Sequence, residues 1–312
     1  MSAIPDWATG DATGLPIPAH GPALLGGGAD WLTAAFRAMG ALDPENRVTA
    51  IAASRGFEGG GTGTKMLLSL DYARDQAGLY RELFVKFSRN ATDPAMDAAR
   101  FHMEAEVRFA ALSRDPDFPI TVAPCLFADF ERASGTGLLI TQAIPFGEGG
   151  IEPQFPKCLD HDMPEPLEHY RTLLTALARL AGSFRGGRLP DSIADAFPWN
   201  RDTARAADRL PWTGDQLARR IARYGDFAGQ HPGLLPPAIR TPAFLASLGE
   251  GAGLFRAHED AIKQLVHSQP DFIALCHWNA NADNAWFWRE ADGNLHCGLL
   301  DWGSVGQLHL AM

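Results

Sequence analysis

The sequence predicts an α+β protein with two lobes, namely a small antiparallel sheet with one helix on the N-terminal side and a mainly helical C-terminal side. Three runs of strand-forming residues lie within 47–88, and short polar turns connect them. Apolar residues in 167–181 recur at the spacing of one helix face, and a second helical stretch covers about 243–267. Because runs of strands followed by runs of helices are typical of the α+β class, these observations favour it.

The N-terminal side is predicted to contain an arm and one sheet. Residues 1–29 are rich in Gly, Pro and Ala without a period, so we expect an extended arm. A short amphipathic helix should follow, with Asp30 as its N-cap and Gly40 just beyond its end. The remaining elements of an N-lobe over 30–144 are an antiparallel meander of strands 47–57, 65–73 and 79–87, a helix over 93–113, and strands over 120–130 and 137–144.

The C-terminal side begins after a boundary segment, 145–166, that carries Pro, Gly and Asp without a period. The C-lobe over 145–312 is predicted to end in strands over 272–276, 285–288 and 295–300. A turn containing Asp292-Gly293 should join the last two strands into a hairpin.

Composition and charge exclude several classes of protein. The 312 residues are 46% hydrophobic and 21% charged, which excludes disorder as the main state. The net charge of −10 argues against a protein that binds nucleic acid through its phosphates. We find neither an apolar run long enough to span a membrane nor a signal-peptide pattern, and we therefore expect no membrane partner and a cytoplasmic location. The sequence carries no signal for the oligomeric state.

A glycine cluster between the first two strand runs is the first candidate site. It consists of Gly59, Gly60, Gly61, Thr62 and Gly63. Glycines allow close approach of a backbone to phosphates, but Thr64 and Met66 exclude a P-loop. Two interpretations stay open, which are a glycine-rich hairpin over a nucleotide and a flexible turn.

Lys86 is the second candidate because it lies in a strongly apolar strand run. It is either a solvated residue of an edge strand or a buried ammonium group that needs a carboxylate partner. The next helix offers Glu104 and Glu106, and periodicity does not choose between them.

The strongest signal is the pattern His277-x-Asn279-x-x-x-x-Asn284, which precedes a hairpin that ends at Asp301. A side-chain amide and a carboxylate are hard oxygen donors of the kind that hold Mg²⁺ against the phosphates of a nucleotide. The sequence therefore predicts a metal site formed by Asn284 and Asp301.

These motifs resemble the aminoglycoside phosphotransferase and choline kinase group of the protein-kinase-like superfamily. Asp30-Trp31-Leu32-Thr33, Arg47-Val48-Thr49 and Glu106-Val107-Arg108-Phe109 look closest to its ecdysteroid-kinase-like branch, which has bacterial members. The resemblance covers about 30–312. It implies a two-lobed kinase-like fold that uses ATP and Mg²⁺ to phosphorylate a hydroxyl group of a small molecule. Relatives usually continue further beyond the residue that matches Asp301, whereas eleven residues follow it in this sequence, so we expect either a fragment of a longer protein or an unusual acceptor side.

The resemblance also implies a role for each matching residue on the nucleotide side. Lys86 would bind the α- and β-phosphates, Glu106 rather than Glu104 would pair with it, and the loop Gly59–Gly63 would lie above the phosphates. The segment Gln142-Ala143-Ile144 would be the hinge that hydrogen-bonds adenine through its backbone.

On the acceptor side, the resemblance implies that His277 braces the catalytic loop and that Asn284 and Asp301 hold Mg²⁺. The sequence departs from the family at the catalytic base, where the family has Asp and this chain has Asn279. An amide cannot accept a proton at neutral pH. The chain is therefore expected to be either an impaired kinase or a nucleotide-binding pseudokinase, unless a neighbour such as Asp283 serves as the base.

Overall fold

The computed structural model of the chain describes residues 4–57, 59, 63–206 and 209–310. Its strands are β1 (Trp7–Thr9), β2 (Pro16–Pro18), β3 (Val48–Phe57), β4 (Thr64–Tyr72), β5 (Glu82–Phe87), β6 (Thr121–Val122), β7 (Cys125–Glu131), β8 (Thr136–Gln142), β9 (Ile273–Cys276), β10 (Ala285–Arg289), β11 (Leu295–Leu299) and β12 (Gly306–His309). Its α-helices are α1 (Gly21–Ala38), α2 (Pro94–Ala98), α3 (Met103–Leu112), α4 (Pro166–Arg185), α5 (Asp191–Ala196), α6 (Arg201–Ala206), α7 (Gly214–Gln230) and α8 (Pro242–His267). The predicted α+β class is confirmed.

The largest sheet has five strands in the order β3-β4-β5-β8-β7, and every neighbouring pair is antiparallel. The predicted meander of three strands is therefore confirmed. Alternate residues such as Met66 and Val85 point from one face of the sheet into a core shared with α1. The intervening residues, including Lys86, consequently point from the opposite face.

The first helix begins earlier than the sequence predicted. α1 starts at Gly21, and the side chain of His20, rather than Asp30, accepts a hydrogen bond from the backbone N–H of Ala23. Gly28 interrupts the helix with φ +61°, a conformation that suits glycine. The segment expected to be an extended arm thus contains β1, β2 and the first turns of α1.

The predicted helix over 93–113 is divided into three pieces. Asp93 caps α2, a 3₁₀ turn spans Arg100–His102, and α3 begins at Met103. α3 packs along β7 and β8, with Met103, Val107 and Ala110 buried against that sheet. This packing determines which of its acidic side chains faces the sheet.

The second sheet, in the order β10-β11-β6, includes the predicted hairpin of β10 and β11. One of its faces packs with α4 around Phe287 and Leu299. Short 3₁₀ turns at Ala282–Asn284 and Trp302–Ser304 lie at the ends of this hairpin. The segment that ends at Asn284 and the segment that begins at Asp301, both singled out in the sequence, therefore lie at the two ends of one hairpin.

By the density of contacts, the chain forms two compact units. One comprises the chain up to Pro198 together with Ala274–Gln307, and the other comprises Trp199–Ile273 with the residues from Leu308 onward. All of the candidate site residues that the structure describes belong to the first unit. The lobe boundary near residue 145 stays a prediction. A search of the described residues found no helix that is long and apolar enough to cross a membrane.

Candidate active site

Lys86 occupies the centre of the candidate site. Its side chain is 5% exposed, and its Nζ atom lies 2.6 Å from Oε2 of Glu106 and 3.2 Å from Oδ1 of Asp301. β5 positions the lysine, α3 positions the glutamate, and the aspartate lies two residues beyond the end of β11. The structure therefore brings together three residues that the sequence analysis connected only through a family resemblance.

The two carboxylates determine the charge state of Lys86. Burial alone would lower the pKa of this lysine, but the charges and hydrogen bonds of Glu106 and Asp301 outweigh burial, so that its pKa is raised above the usual value. Lys86 is consequently a fixed cation at neutral pH. Such a group can neutralise phosphate charge without exchanging a proton.

Glu104 takes no part in this cluster. Its carboxylate pairs with Arg108 on the same helix and with Arg132, and its side chain is about one-quarter exposed. Glu106, by contrast, is buried with the apolar stripe of α3. Periodicity left the two glutamates undecided, and the packing of α3 on the sheet separates them.

His277 connects two segments of the site. Its Nε2 atom donates to the carbonyl oxygen of Leu300 at 2.7 Å, and its Nδ1 atom accepts from the backbone N–H of Asn279 at 3.2 Å. One donating and one accepting nitrogen define a neutral imidazole. Burial, the largest influence, lowers the pKa of His277 and so favours this neutral form. The residue thus ties the loop after β9 to the backbone just before Asp301.

The loop from Asn279 to Asn284 is held mainly through its backbone. The carbonyl oxygen of Asn279 accepts from Nδ2 of Asn284 at 2.7 Å and from the backbone N–H of Asn281 at 3.1 Å. The side-chain oxygen of Asn279 receives only a long hydrogen bond, 3.4 Å, from Nδ2 of Asn281. Asp283 is half-buried, and its backbone carbonyl accepts from Gln154.

Asn284 and Asp301 are suitable ligands for a hard divalent cation. Asn284 uses its amide nitrogen as a donor to Asn279, which directs its Oδ1 atom away from that bond. The backbone N–H of Leu300 donates to the carbonyl oxygen of Asn284 at 2.8 Å. Because Asp301 is the next residue after Leu300, this hydrogen bond holds the backbones of the two predicted ligands close together. Within the described residues, no cluster of three or more His, Cys, Asp or Glu side chains could hold a metal ion. The donor set fits Mg²⁺ that keeps water and phosphate oxygens as its other ligands.

Trp302 joins the site to α3, and sequence reasoning gave this residue no role. Its ring stacks on Phe109 with centroids 3.7 Å apart and lies 4.2 Å from the ring of His277. Its Nε1–H donates to the carbonyl oxygen of Leu299. The signal that could have identified it is its position directly after Asp301. Through Trp302, the helix that carries Glu106 contacts the loop that carries Asn279.

The glycine cluster is only partly described. Gly60, Gly61 and Thr62 lie outside the described residues, whereas Gly59 and Gly63 lie within them. Gly63 has φ +62°, and a Cβ atom there would lie 1.8 Å from the carbonyl oxygen of Phe87. Close packing on β5 therefore requires a glycine at this position, irrespective of any bound nucleotide.

The predicted hinge begins at the last residue of β8 and continues beyond it. The backbone N–H groups of Gln142 and Ala143 already donate to the carbonyl oxygens of Pro124 and Glu82. Ile144 has the next N–H along the chain, and its carbonyl oxygen accepts from Phe146 at 2.9 Å. Of the three hinge residues, Ile144 is therefore the better candidate for donating to a base.

Comparison with solved structures shows similarity to two kinds of phosphotransferase. The GDP and kanamycin complex of APH(2")-IIia is 13% identical with a TM-score of 0.38, and the match covers 84% of this chain and 70% of that chain. The GDP complex of wild-type aminoglycoside 2'-phosphotransferase-IIIa is 12% identical with a TM-score of 0.38, covering 84% of this chain and 70% of that one. A Plasmodium vivax ethanolamine kinase is 12% identical with a TM-score of 0.40, covering 83% of this chain and 58% of that one.

Two of these three structures are aminoglycoside phosphotransferases, a kind named in the resemblance, and none of the three is an ecdysteroid kinase. No family model and no curated protein matches the chain. The identities and TM-scores are too low to indicate the function of this chain.

Proposed function

We propose that this protein is an ATP- and Mg²⁺-dependent phosphotransferase that acts on a hydroxyl group of a small molecule. The observation that carries the proposal is the buried Lys86 between Glu106 and Asp301. A buried cation with one fully buried carboxylate and one half-exposed carboxylate can bind phosphate on its open side while staying charged. ATP as the donor agrees with the cytoplasmic location expected from the sequence.

Each residue of the cluster has a defined task in this proposal. Lys86 binds the α- and β-phosphates, and Glu106 fixes the position of the ammonium group. Asn284 and Asp301 would hold Mg²⁺, which when bound neutralises charge on the phosphates. His277 keeps the loop of Asn279 at a fixed position relative to the metal ligands.

The nucleotide base and the phosphate chain have separate contacts. The N–H of Ile144 is proposed to donate to adenine. The described ends of the glycine loop, Gly59 and Gly63, would lie above the phosphates. This arrangement supplies positioning and electrostatic stabilisation, which contribute most of the catalysis in phosphoryl transfer.

Asn279 reduces the expected rate without excluding turnover. It stands at the position of the base and can accept a hydrogen bond from a hydroxyl group, but it cannot take the proton. A general base typically contributes about 10²–10⁴-fold, and the proton can instead leave to water or to a nearby carboxylate. Asp283 is the carboxylate closest in sequence to the proposed metal ligand Asn284.

Asn279 also favours a second candidate function. A nucleotide-binding pseudokinase would keep Lys86, Glu106 and Asp301 but would not transfer phosphate. In that case the nucleotide regulates the protein and no acceptor is consumed. The two candidates share the nucleotide site and differ only in turnover.

Calorimetry tests the shared part of both candidates. Wild-type protein should bind ATP in the presence of Mg²⁺, and Lys86→Met should lose about ten-fold or more in affinity, because a charged hydrogen bond to phosphate is removed. Lys157→Met is the matched control, since Lys157 is an exposed residue outside the cluster. Absence of nucleotide binding by the wild-type protein would contradict both candidates.

Turnover separates the two candidates once binding is established. Transfer of the γ-phosphate of labelled ATP to members of a library of small alcohols is expected of a phosphotransferase and should vanish in Lys86→Met. Binding without transfer to any acceptor, together with no release of phosphate, would favour the pseudokinase.

A further inference from the structure

We propose that Lys65 is a second phosphate-binding residue, which acts with Lys86 on the phosphate chain of the nucleotide. This inference rests on the proposed function, because it assigns a further residue to the same nucleotide site. Sequence motifs gave no role to Lys65, although it lies two residues after the last glycine of the cluster.

The register of the sheet places the two lysines side by side. Lys65 of β4 lies directly opposite Lys86 of β5. Opposite residues of an antiparallel pair project from the same face, and their neighbours Met66 and Val85 project into the core on the other face. Both ammonium groups therefore belong to the face that carries Glu106 and Asp301.

Two like charges directly opposite each other destabilise a sheet unless opposite charge lies close by. The carboxylates of Glu106 and Asp301 both lie within reach of Lys86. The two lysines and these two carboxylates together carry no net charge. A triphosphate with one bound Mg²⁺ still carries net negative charge. Lys65 supplies a second positive charge beside Lys86 to offset it.

The surroundings of Lys65 agree with this position. Its Nζ atom donates to the carbonyl oxygen of Gly59 at 2.7 Å, at the start of the glycine loop. Burial, followed by the charge of Lys86, lowers the pKa of Lys65, while Asp301 and Glu106 act in the opposite direction. The ammonium group thus experiences every charged member of the cluster and touches the loop proposed to cover the phosphates.

The dependence of affinity on phosphate number tests this assignment. Calorimetry would measure the binding of adenosine, ADP and ATP, the nucleotides with Mg²⁺, to wild-type protein, Lys65→Met, Lys65→Arg and the control Lys157→Met. We expect Lys65→Met to lose about ten- to hundred-fold in affinity for ADP and ATP, the effect of removing a hydrogen bond to a charged group. Adenosine affinity should stay within about two-fold, and Lys65→Arg should recover most of the loss.

A measurement on the wild-type protein covers the case in which Lys65→Met does not fold. An amine-reactive reagent labels Lys65, and mass spectrometry follows the rate of labelling. Saturating Mg²⁺ and ATP should slow this labelling at least about five-fold if phosphate covers the amine, whereas adenosine should not.

Several results would overturn the assignment. Unchanged ATP affinity in Lys65→Met, or an equal loss for adenosine and ATP, would mean that Lys65 serves only the fold of the loop. Equal labelling with and without ATP would have the same meaning. If the wild-type protein binds nucleotide while these results are found, the inference on Lys65 fails and the proposed function stands. If the wild-type protein binds no nucleotide, both fail.

Discussion

Removing the charge of Glu106 is the sharpest test of the buried cluster. Loss of one partner of a buried ion pair typically costs about 3–5 kcal/mol, because the other charge is left without compensation. Here Asp301 still lies 3.2 Å from the Lys86 ammonium, and a glutamine would still offer an oxygen to it. We therefore expect Glu106→Gln to lower the free energy of unfolding by about 1–3 kcal/mol at neutral pH, the range for a hydrogen bond to a charged group.

The pH dependence of this loss has a defined sign. The pKa of Lys86 is raised in the folded state, so its contribution to stability is fully present below the unfolded value of about 10.4 and is lost as pH rises through the folded value. The difference between wild type and Glu106→Gln should consequently be constant from pH 7 to pH 9. It should shrink above about pH 10.4.

Urea unfolding with linear extrapolation measures both quantities. Glu104→Gln is the matched control on the same helix, because Glu104 pairs with the partly exposed Arg108 and Arg132. Partly exposed pairs contribute about 0–1 kcal/mol, so the control should stay in that range. An equal loss in both variants would refute the argument that the packing of α3 makes only Glu106 a buried partner.

Three further changes test other parts of the molecule. If the protein is an impaired kinase, Asn279→Asp should raise turnover about ten-fold or more at nearly unchanged ATP affinity; steady-state kinetics with any working acceptor measures this, and an unchanged rate would contradict it. Gly63→Ala should cost about 3 kcal/mol or more in urea unfolding, because its Cβ would lie 1.8 Å from the Phe87 carbonyl oxygen, whereas Gly78→Ala, at φ +80° in open space, should cost about 1 kcal/mol; equal losses would refute the steric argument. His267→Leu should raise the free energy of unfolding by about 1–2 kcal/mol, since neither ring nitrogen of the buried His267 has a hydrogen-bond partner in the described chain. Burial lowers the pKa of His267, so wild-type stability should fall as pH drops below about 6.5, and a fall of the same size in His267→Leu would show that another group is responsible.

The strands of the main sheet could be predicted because they are runs of strand-forming residues and short turns separate several of them. The start of α1 could not be predicted, since a histidine side chain caps it and glycines follow in its first turns. Propensity rules favour Asp30 as a cap, and the burial of Leu24 against the sheet prevails over them. Tertiary packing therefore determined this boundary.

The candidate site could likewise be predicted only in part from the sequence. A buried lysine needs a carboxylate, so chemistry predicted a partner for Lys86 without naming it. The choice of Glu106 over Glu104 depends on how α3 rests on the sheet, which a periodic pattern does not contain. Lys65 was missed because cross-strand neighbours follow from the register of β4 on β5, and only the structure supplies that register.

The contacts that fix the loop around residue 279 do not depend on which side chain that residue carries. The loop is fixed by the backbone N–H and carbonyl oxygen of Asn279, which bond to His277 and Asn284, and by the link from His277 to Leu300. The side chain of residue 279 contributes only the long bond from Asn281, and an aspartate oxygen could accept that bond equally well. The same loop geometry is therefore compatible with a base and with an amide. It follows that nucleotide binding by the proposed residues would not by itself imply catalysis. A gain of turnover in Asn279→Asp would measure proton acceptance itself, since the substitution leaves the backbone contacts of the loop in place.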